Sequence, residues 1–207
     1  MNIAIIGSGN MANGIGTRLI TGKHNVTIYD RDLEKASGLA KKLGENAKSK
    51  VLGDALDEEV VIFTLPYNAA LEVAEKYKDL FKDKIVVDVS NPIDFETYKL
   101  IPEPGTSGAQ EIAKLIPESK VLKAFNTTFA GTLAQGEVGG NMLDVLIAGD
   151  DEDSKKILSE IVTTSGLRAL DIGALESAHA LEELGRLHIS LQQKLGNTWM
   201  TAVKFIS

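Results

Sequence analysis

The chain has 207 residues, no cysteine and a formal net charge of −7. That excludes disulfides, thiolate nucleophiles and cysteine-held metal centres, and it argues against a surface devoted to nucleic acid or to an anionic membrane. Hydrophobic residues make up 43% and charged residues 25%, the balance of one well-packed globular unit.

Met1-Asn2 leads directly into Ile3-Ala4-Ile5-Ile6. No basic leader precedes it, and no apolar run approaches the roughly twenty residues that span a bilayer. The cytoplasm is the expected location. Further apolar runs follow at Val26–Tyr29, Val60–Leu65, Ile85–Val89, Val121–Phe125, Val145–Ala148 and Leu167–Ile172. Most are continuous rather than alternating, as strands buried on both faces require. Helical stripes lie between them: Met11, Ile15 and Leu19; Leu33, Ala36, Ala40 and Leu43; Leu71, Ala74 and Tyr77; Ile112, Leu115 and Ile116. Residues Asp94 to Gly108 carry Pro102, Pro104 and Gly105 and read as a long surface loop. The glycine-rich stretch Gly131 to Asn141 reads as a second loop. From Ala174 onward the pattern is helical.

Strand and helix in alternation predict an α/β fold built on a doubly wound parallel sheet. Residues 1–173 form the predicted main domain, and residues 174–207 a small C-terminal helical extension packed on it.

The first turn is the most informative segment. Gly7-Ser8-Gly9-Asn10-Met11-Ala12 has the form GxGxxA and sits between a strand run and a helix run, which is the context a dinucleotide-binding Rossmann turn needs. Gly7 permits the tight turn, Gly9 lets the backbone approach a pyrophosphate, and Ala12 lets the helix pack on the strand. The free N–H groups at the helix start then face the phosphates. Asp30 ends the next strand about twenty residues later and would accept from the adenine-ribose hydroxyls, which favours NAD. Arg31 follows, and its guanidinium could pair with the 2′-phosphate of NADP if Asp30 turned away. Both dinucleotides stay open.

In an open parallel sheet the ligand lies beyond the carboxyl ends of the strands. Those ends carry Thr64-Leu65-Pro66-Tyr67, Ser90-Asn91-Pro92 and Phe125-Asn126-Thr127. Pro66 and Pro92 hold the preceding residues extended. Tyr67 could lie over a ring or cover the sheet. Asn91 and Asn126 offer amides to a carboxamide or to a second ligand. Acid–base groups are scarce. His24 reads as a surface residue, and His179 and His188 lack a third partner for a metal. The acidic runs at Asp57–Glu59 and Asp150–Asp153 read as element ends, the second as a helix start. Neither a catalytic side chain nor a metal site is predicted. Direct hydride transfer between two bound redox molecules fits such a site.

Taken together, several segments resemble the coenzyme F-420-dependent NADP oxidoreductases and their bacterial relatives. They are Gly7–Met11, Leu65-Pro66-Tyr67, Lys84–Asp88 leading to Asn91-Pro92, Val121–Thr127, Ala148–Asp151, Leu170–Gly173 and the helix with Glu182 and Leu184. The resemblance spans nearly the whole chain. It implies hydride exchange between NADPH and a deazaflavin or flavin-like small-molecule acceptor, and a homodimer. It also implies a nicotinamide cleft bordered by Ser8, Asn10, Pro66, Asn91 and Asn126. The chain departs from a member of that family at Asp30-Arg31-Asp32, where that member carries a hydroxyl residue and two arginines. Two other readings remain: a non-catalytic NAD(P)-binding or sensing module, and a small hydroxyacid or imine reductase.

Overall fold

A computed structural model describes residues 1–206. In chain order the first half runs β1 (Asn2–Ile6), α1 (Asn10–Thr21), β2 (Asn25–Asp30), α2 (Leu33–Leu43) and β3 (Ala47–Val51). Next come β4 (Val60–Phe63), α3 (Tyr67–Lys76), β5 (Ile85–Asp88), a hairpin of β6 (Ile93–Asp94) and β7 (Lys99–Leu100), α4 (Gly108–Leu115) and β8 (Lys120–Lys123). The last part holds α5 (Ala130–Gln135), a hairpin of β9 (Glu137–Val138) and β10 (Asn141–Met142), β11 (Asp144–Gly149), α6 (Glu152–Thr164), β12 (Arg168–Asp171) and α7 (Ala178–Leu191).

Eight strands form one sheet in the order β12-β11-β8-β5-β4-β1-β2-β3. The six from β3 to β8 are parallel, with Ile3 opposite both Val26 and Val60. This is the doubly wound order with its switch point between β1 and β4. Side chains alternate between two cores. Ile3, Ile5, Ile62 and Val87 face Ile15, Leu19 and Leu158, while Ala4, Ile6, Phe63 and Val86 face Ala70, Phe81 and Ile112. Because both faces are covered, neither set could be polar, which is why the runs are continuous.

The α/β class is as the patterning indicates, but the sheet is not parallel throughout. Strand β11 runs antiparallel to β8, and β12 follows β11. The chain leaves β8 at the carboxyl edge, and α5 stays there, packed closely on α1: a Cβ on Gly14 would lie 2.6 Å from the Ala130 carbonyl. With no crossover to the far edge, the next strand must run back. The two predicted loops also contain structure. Residues 94–108 hold the β6–β7 hairpin, and residues 131–141 hold most of α5 and the β9–β10 hairpin. Strand β3 escapes an apolar search because it is an edge strand bearing Lys48 and Lys50. His24 is not at the surface: it is 7% exposed. Its ring joins the Met1 amine to Thr164 Oγ1 at 3.2 and 3.0 Å. Among the described residues no helix is long and apolar enough to cross a membrane.

After α7 the chain runs without regular structure past α5 to the starts of β11 and β12 and is clamped at two points. Thr201 Oγ1 meets both His188 Nε2 and Gln192 Nε2 at 2.8 Å. Farther on, the buried Asp144 carboxylate receives Arg168, Lys204 Nζ at 2.5 Å and the Phe205 N–H at 2.9 Å. Burial alone would raise the Asp144 carboxyl, but these donors outweigh it and hold it down at about 2, against an ordinary 3.8. The clamp is therefore at full strength above the ordinary value and is lost as pH falls from about 4 to about 2. Asp144→Asn mimics the protonated form. Limited trypsin digestion of that variant at neutral pH, read by mass spectrometry, should release the peptide after Lys194 well before the body of the protein is cut.

Candidate functional site

The glycine turn joins β1 to α1. Gly7 has φ +104°, and a Cβ there would sit 2.9 Å from Thr64 Oγ1, so the position takes no side chain. Gly9 caps α1 with extended backbone and no side-chain acceptor. A Cβ on Gly9 would meet nothing within 4 Å. The start of α1 thus presents its amides to open space, where an anion is stabilised by the N–H groups and the helix dipole. Ala12 is wholly buried behind the turn.

Beside the turn, at the end of β2, Ser8 Oγ donates to Asp30 Oδ2 at 2.6 Å, and the Asp32 N–H donates to Asp30 Oδ1 at 3.0 Å. Asp32 caps α2 by accepting from the Glu34 and Lys35 N–H groups, and these bonds hold its carboxyl below the ordinary range. Arg31 is exposed.

On the other side of the turn a cavity of about 570 Å³ opens over the carboxyl ends of β1, β4, β5 and β8. Gly9, Asn10, Met11, Leu65, Pro66, Tyr67, Asn91 and Asn126 all border it. Tyr67 is buried, with its hydroxyl bonded to Glu111; burial and that carboxylate push its pKa far up. Asn91 and Asn126 form an amide pair. Asn126 Nδ2 donates to Asn91 Oδ1 at 2.9 Å and to the Leu181 carbonyl at 2.8 Å, and Asn91 Nδ2 donates to the Asn126 carbonyl. Gly185 of α7 lies against the pair, since a Cβ there would fall 2.3 Å from Asn91 Oδ1. Phe125 takes the left-handed conformation, φ +63°, to turn Asn126 into place, a strain of about 1–3 kcal/mol. Its carbonyl accepts from Thr128 Oγ1 at 2.6 Å. Two buried polar atoms on this wall, Asn126 Oδ1 and Ser90 Oγ, have no partner. Such atoms call for a ligand or water to satisfy them.

The far wall is aromatic. Phe129 lies between the His188 ring, 4.3 Å away, and the Trp199 ring, 5.1 Å away and nearly perpendicular. Trp199 is the chain's single tryptophan. Burial lowers the His188 pKa, and the ring is held by the Thr127 carbonyl and Thr201. Among the described residues no Asp, Glu, His, Lys or Arg borders the cavity. Among the described residues no three His, Asp or Glu side chains gather to hold a metal.

The family profile described as "NADP oxidoreductase coenzyme F420-dependent" matches residues 2–92. The F420-dependent NADP reductase of Methanocaldococcus jannaschii is 34% identical over 211 aligned positions, covering 94% of this chain and 93% of that protein. This chain belongs to the F420-dependent NADP reductase family. A solved structure of a proposed F420-dependent NADP reductase from Arthrobacter sp. FB24 superposes with a TM-score of 0.86 at 26% identity, over 99% of each chain. The metalloreductase STEAP3 of Rattus norvegicus is 32% identical over 182 positions, and this family member spans 36% of its length.

Several sequence-predicted residues lie off the cavity wall. Gly7 and Ser8 shape the turn from behind, Asp30 and Arg31 stand at the neighbouring strand end, and Pro92 backs the wall near Gly108. Sequence reading missed the aromatic wall and the group that fastens α7 over the site. Lys123, Asp88 and Glu182 are wholly inaccessible. Lys123 Nζ donates to Asp88 Oδ2 at 2.7 Å, Glu182 Oε1 at 2.8 Å and the Ser90 carbonyl at 2.6 Å. Glu182 also accepts from the Gly108 and Ala109 N–H groups at the start of α4. Burial would lower the lysine, but the two carboxylates outweigh it and raise its pKa; burial raises Glu182 against the pull of Lys123. The available signal was a lysine inside an apolar strand, which demands partners. Lys123→Met leaves two carboxylates buried together and should cost about 3–5 kcal/mol, measured as a lowered urea midpoint at unchanged slope.

Proposed function

We propose that this protein binds a nicotinamide dinucleotide along the carboxyl edge of the sheet and passes a hydride to a planar conjugated acceptor of the flavin or deazaflavin class, such as the F420 for which its relatives are named. The pyrophosphate would rest on the Gly7–Gly9 turn and the start of α1, with Asn10 and Met11 beside it. Asp30 and Arg31 would face the adenosine ribose. Leu65, Pro66, Tyr67, Asn91 and Asn126 would enclose the nicotinamide, with Pro92 fixing the loop behind. The open ground before Gly9 and the unpartnered Asn126 Oδ1 support this fit.

The observation that carries the reading is the chemistry of the cavity wall: amides, hydroxyls and apolar or aromatic surface, without an ionisable acid or base in working range. When bound, a reduced nicotinamide supplies two electrons and one proton as hydride, so the acceptor ring needs only one solvent proton to balance. The chain's task is to hold two rings face to face and to exclude water. The amide pair, with Gly185 pressed against it, would form the polar wall beside the carboxamide, and Asn126 Oδ1 lies buried in it without a partner. Phe129 and Trp199 give the acceptor an aromatic surface. Reduction of a carbonyl or imine needs a proton donor beside the substrate. Tyr67, already engaged by Glu111, is a poor one, which weighs against the hydroxyacid and imine reductase reading.

In this reading residues 1–173 carry the dinucleotide, and the extension from residue 174 closes the acceptor side through Ile189 and Trp199. We also infer that two copies pair and that the enzyme works in the cytoplasm, where its dinucleotide is found. The support for pairing is apolar surface on the α7 side: Leu187 is 50% exposed, Ile101 50% and Phe95 66%. Light scattering should give twice the 22.2 kDa of one chain.

Gly9→Val places side-chain atoms in the pyrophosphate space without touching the core. Calorimetry should show dinucleotide affinity falling at least about 100-fold with an unchanged melting temperature. Acceptor-dependent oxidation of the reduced dinucleotide should be flat from about pH 6 to 9, because no group of the chain titrates in the transfer. A bell-shaped profile, or binding unaffected in Gly9→Val, would sink the assignment.

A further inference from the structure

The relatives are named for NADP, yet the adenosine end of this site is built against a 2′-phosphate. We infer that this chain selects NAD(H) over NADP(H), and that Asp30, locked in place by Ser8, is the residue that decides it. The inference rests on the dinucleotide-binding reading above.

Four observations carry it. Asp30 ends β2, next to the strand whose exit forms the glycine turn, and the Gly7 N–H bonds the Tyr29 carbonyl at 2.8 Å. The carboxylate therefore stands where the ribose of a nucleotide anchored on that turn must pass. Second, it is tethered at both oxygens. One oxygen is held by Ser8 Oγ at 2.6 Å and the other by the Asp32 N–H at 3.0 Å. Each oxygen keeps a lone pair free for a ribose hydroxyl. Third, two of the nearest anion-binding groups are taken. The first amides of α2 would suit a 2′-phosphate, but the Glu34 and Lys35 N–H groups already donate to Asp32 Oδ1. Fourth, Arg31 stands in sequence between Asp30 and Asp32, and Lys35, the next cation on α2, pairs with Asp32 at 3.6 Å. A 2′-phosphate carries about −1.5 to −2 charges near neutral pH. It would meet two carboxylates, one of them tethered at both oxygens, with the exposed Arg31 to offset them. Like charges so placed discriminate strongly.

Binding is measured at neutral pH by calorimetry, with NADH and NADPH as separate probes on the full chain. NADH should bind on the order of 10- to 100-fold more tightly, and the ratio should narrow as salt rises, because the repulsion lies near the surface and is screened. Asp30→Ser should lower NADH affinity and raise NADPH affinity, shrinking or reversing the ratio. Asp30→Asn keeps the shape and the Ser8 contact, so it reports on charge alone if the serine variant folds poorly. Equal or tighter binding of NADPH to the wild-type protein overturns the inference while leaving the dinucleotide site standing. An unchanged ratio in folded Asp30→Asn overturns the role of Asp30. Binding of neither nucleotide overturns both.

Discussion

An ammonium group with no access to water must be surrounded by acceptors or be neutralised, and Lys123 meets that demand by joining four parts of the chain. Its Nζ takes carboxylates from β5 and α7 and a carbonyl from the loop after β5, and the α7 carboxylate in turn takes two amides from the start of α4. The bonds define where α7 lies. Once α7 lies there, Gly185 can press on the Asn91–Asn126 pair, the Leu181 carbonyl can receive Asn126, and His188 can hold the returning tail. Apolar residues of similar volume would fill the same space without directional bonds to set the position of the helix. The directional bonds of a buried charge set it.

The site divides into two halves with different physics. The side at the ends of β1 and β2 is electrostatic and exposed: open helix amides, a tethered carboxylate, a capped helix. The cavity side is uncharged among the described residues, and Asn126 Oδ1 and Ser90 Oγ stand unpartnered on its wall.

The strain at Phe125 belongs to the same economy. A left-handed phenylalanine is uncomfortable, yet it is buried and bonded through its carbonyl to Thr128. The surrounding structure holds it, and the amide of the next residue gains an orientation that a relaxed turn would not give.

Local chemistry made much of this legible from residues alone. GxGxxA between a strand and a helix specifies the tight β1–α1 turn, where Gly7 has no room for a side chain and Gly9 leaves the helix start open. Continuous apolar runs specify a doubly covered sheet because both faces exclude water. Asp30, Pro66, Asn91 and Asn126 were readable because strand ends can be counted. What the chain order could not disclose was pairing at a distance. The reversal at β11 depends on α5 docking against α1, the lysine-rich edge strand β3 on having a neighbour, and the locking of Asp30 on a serine twenty-two positions away. Trp199 enters the site only because Asp144 and His188 bring the tail back. Periodicity and motif report the environment of one segment; which distant group completes that environment is fixed only when the chain is folded, since it depends on contacts that have no local signature.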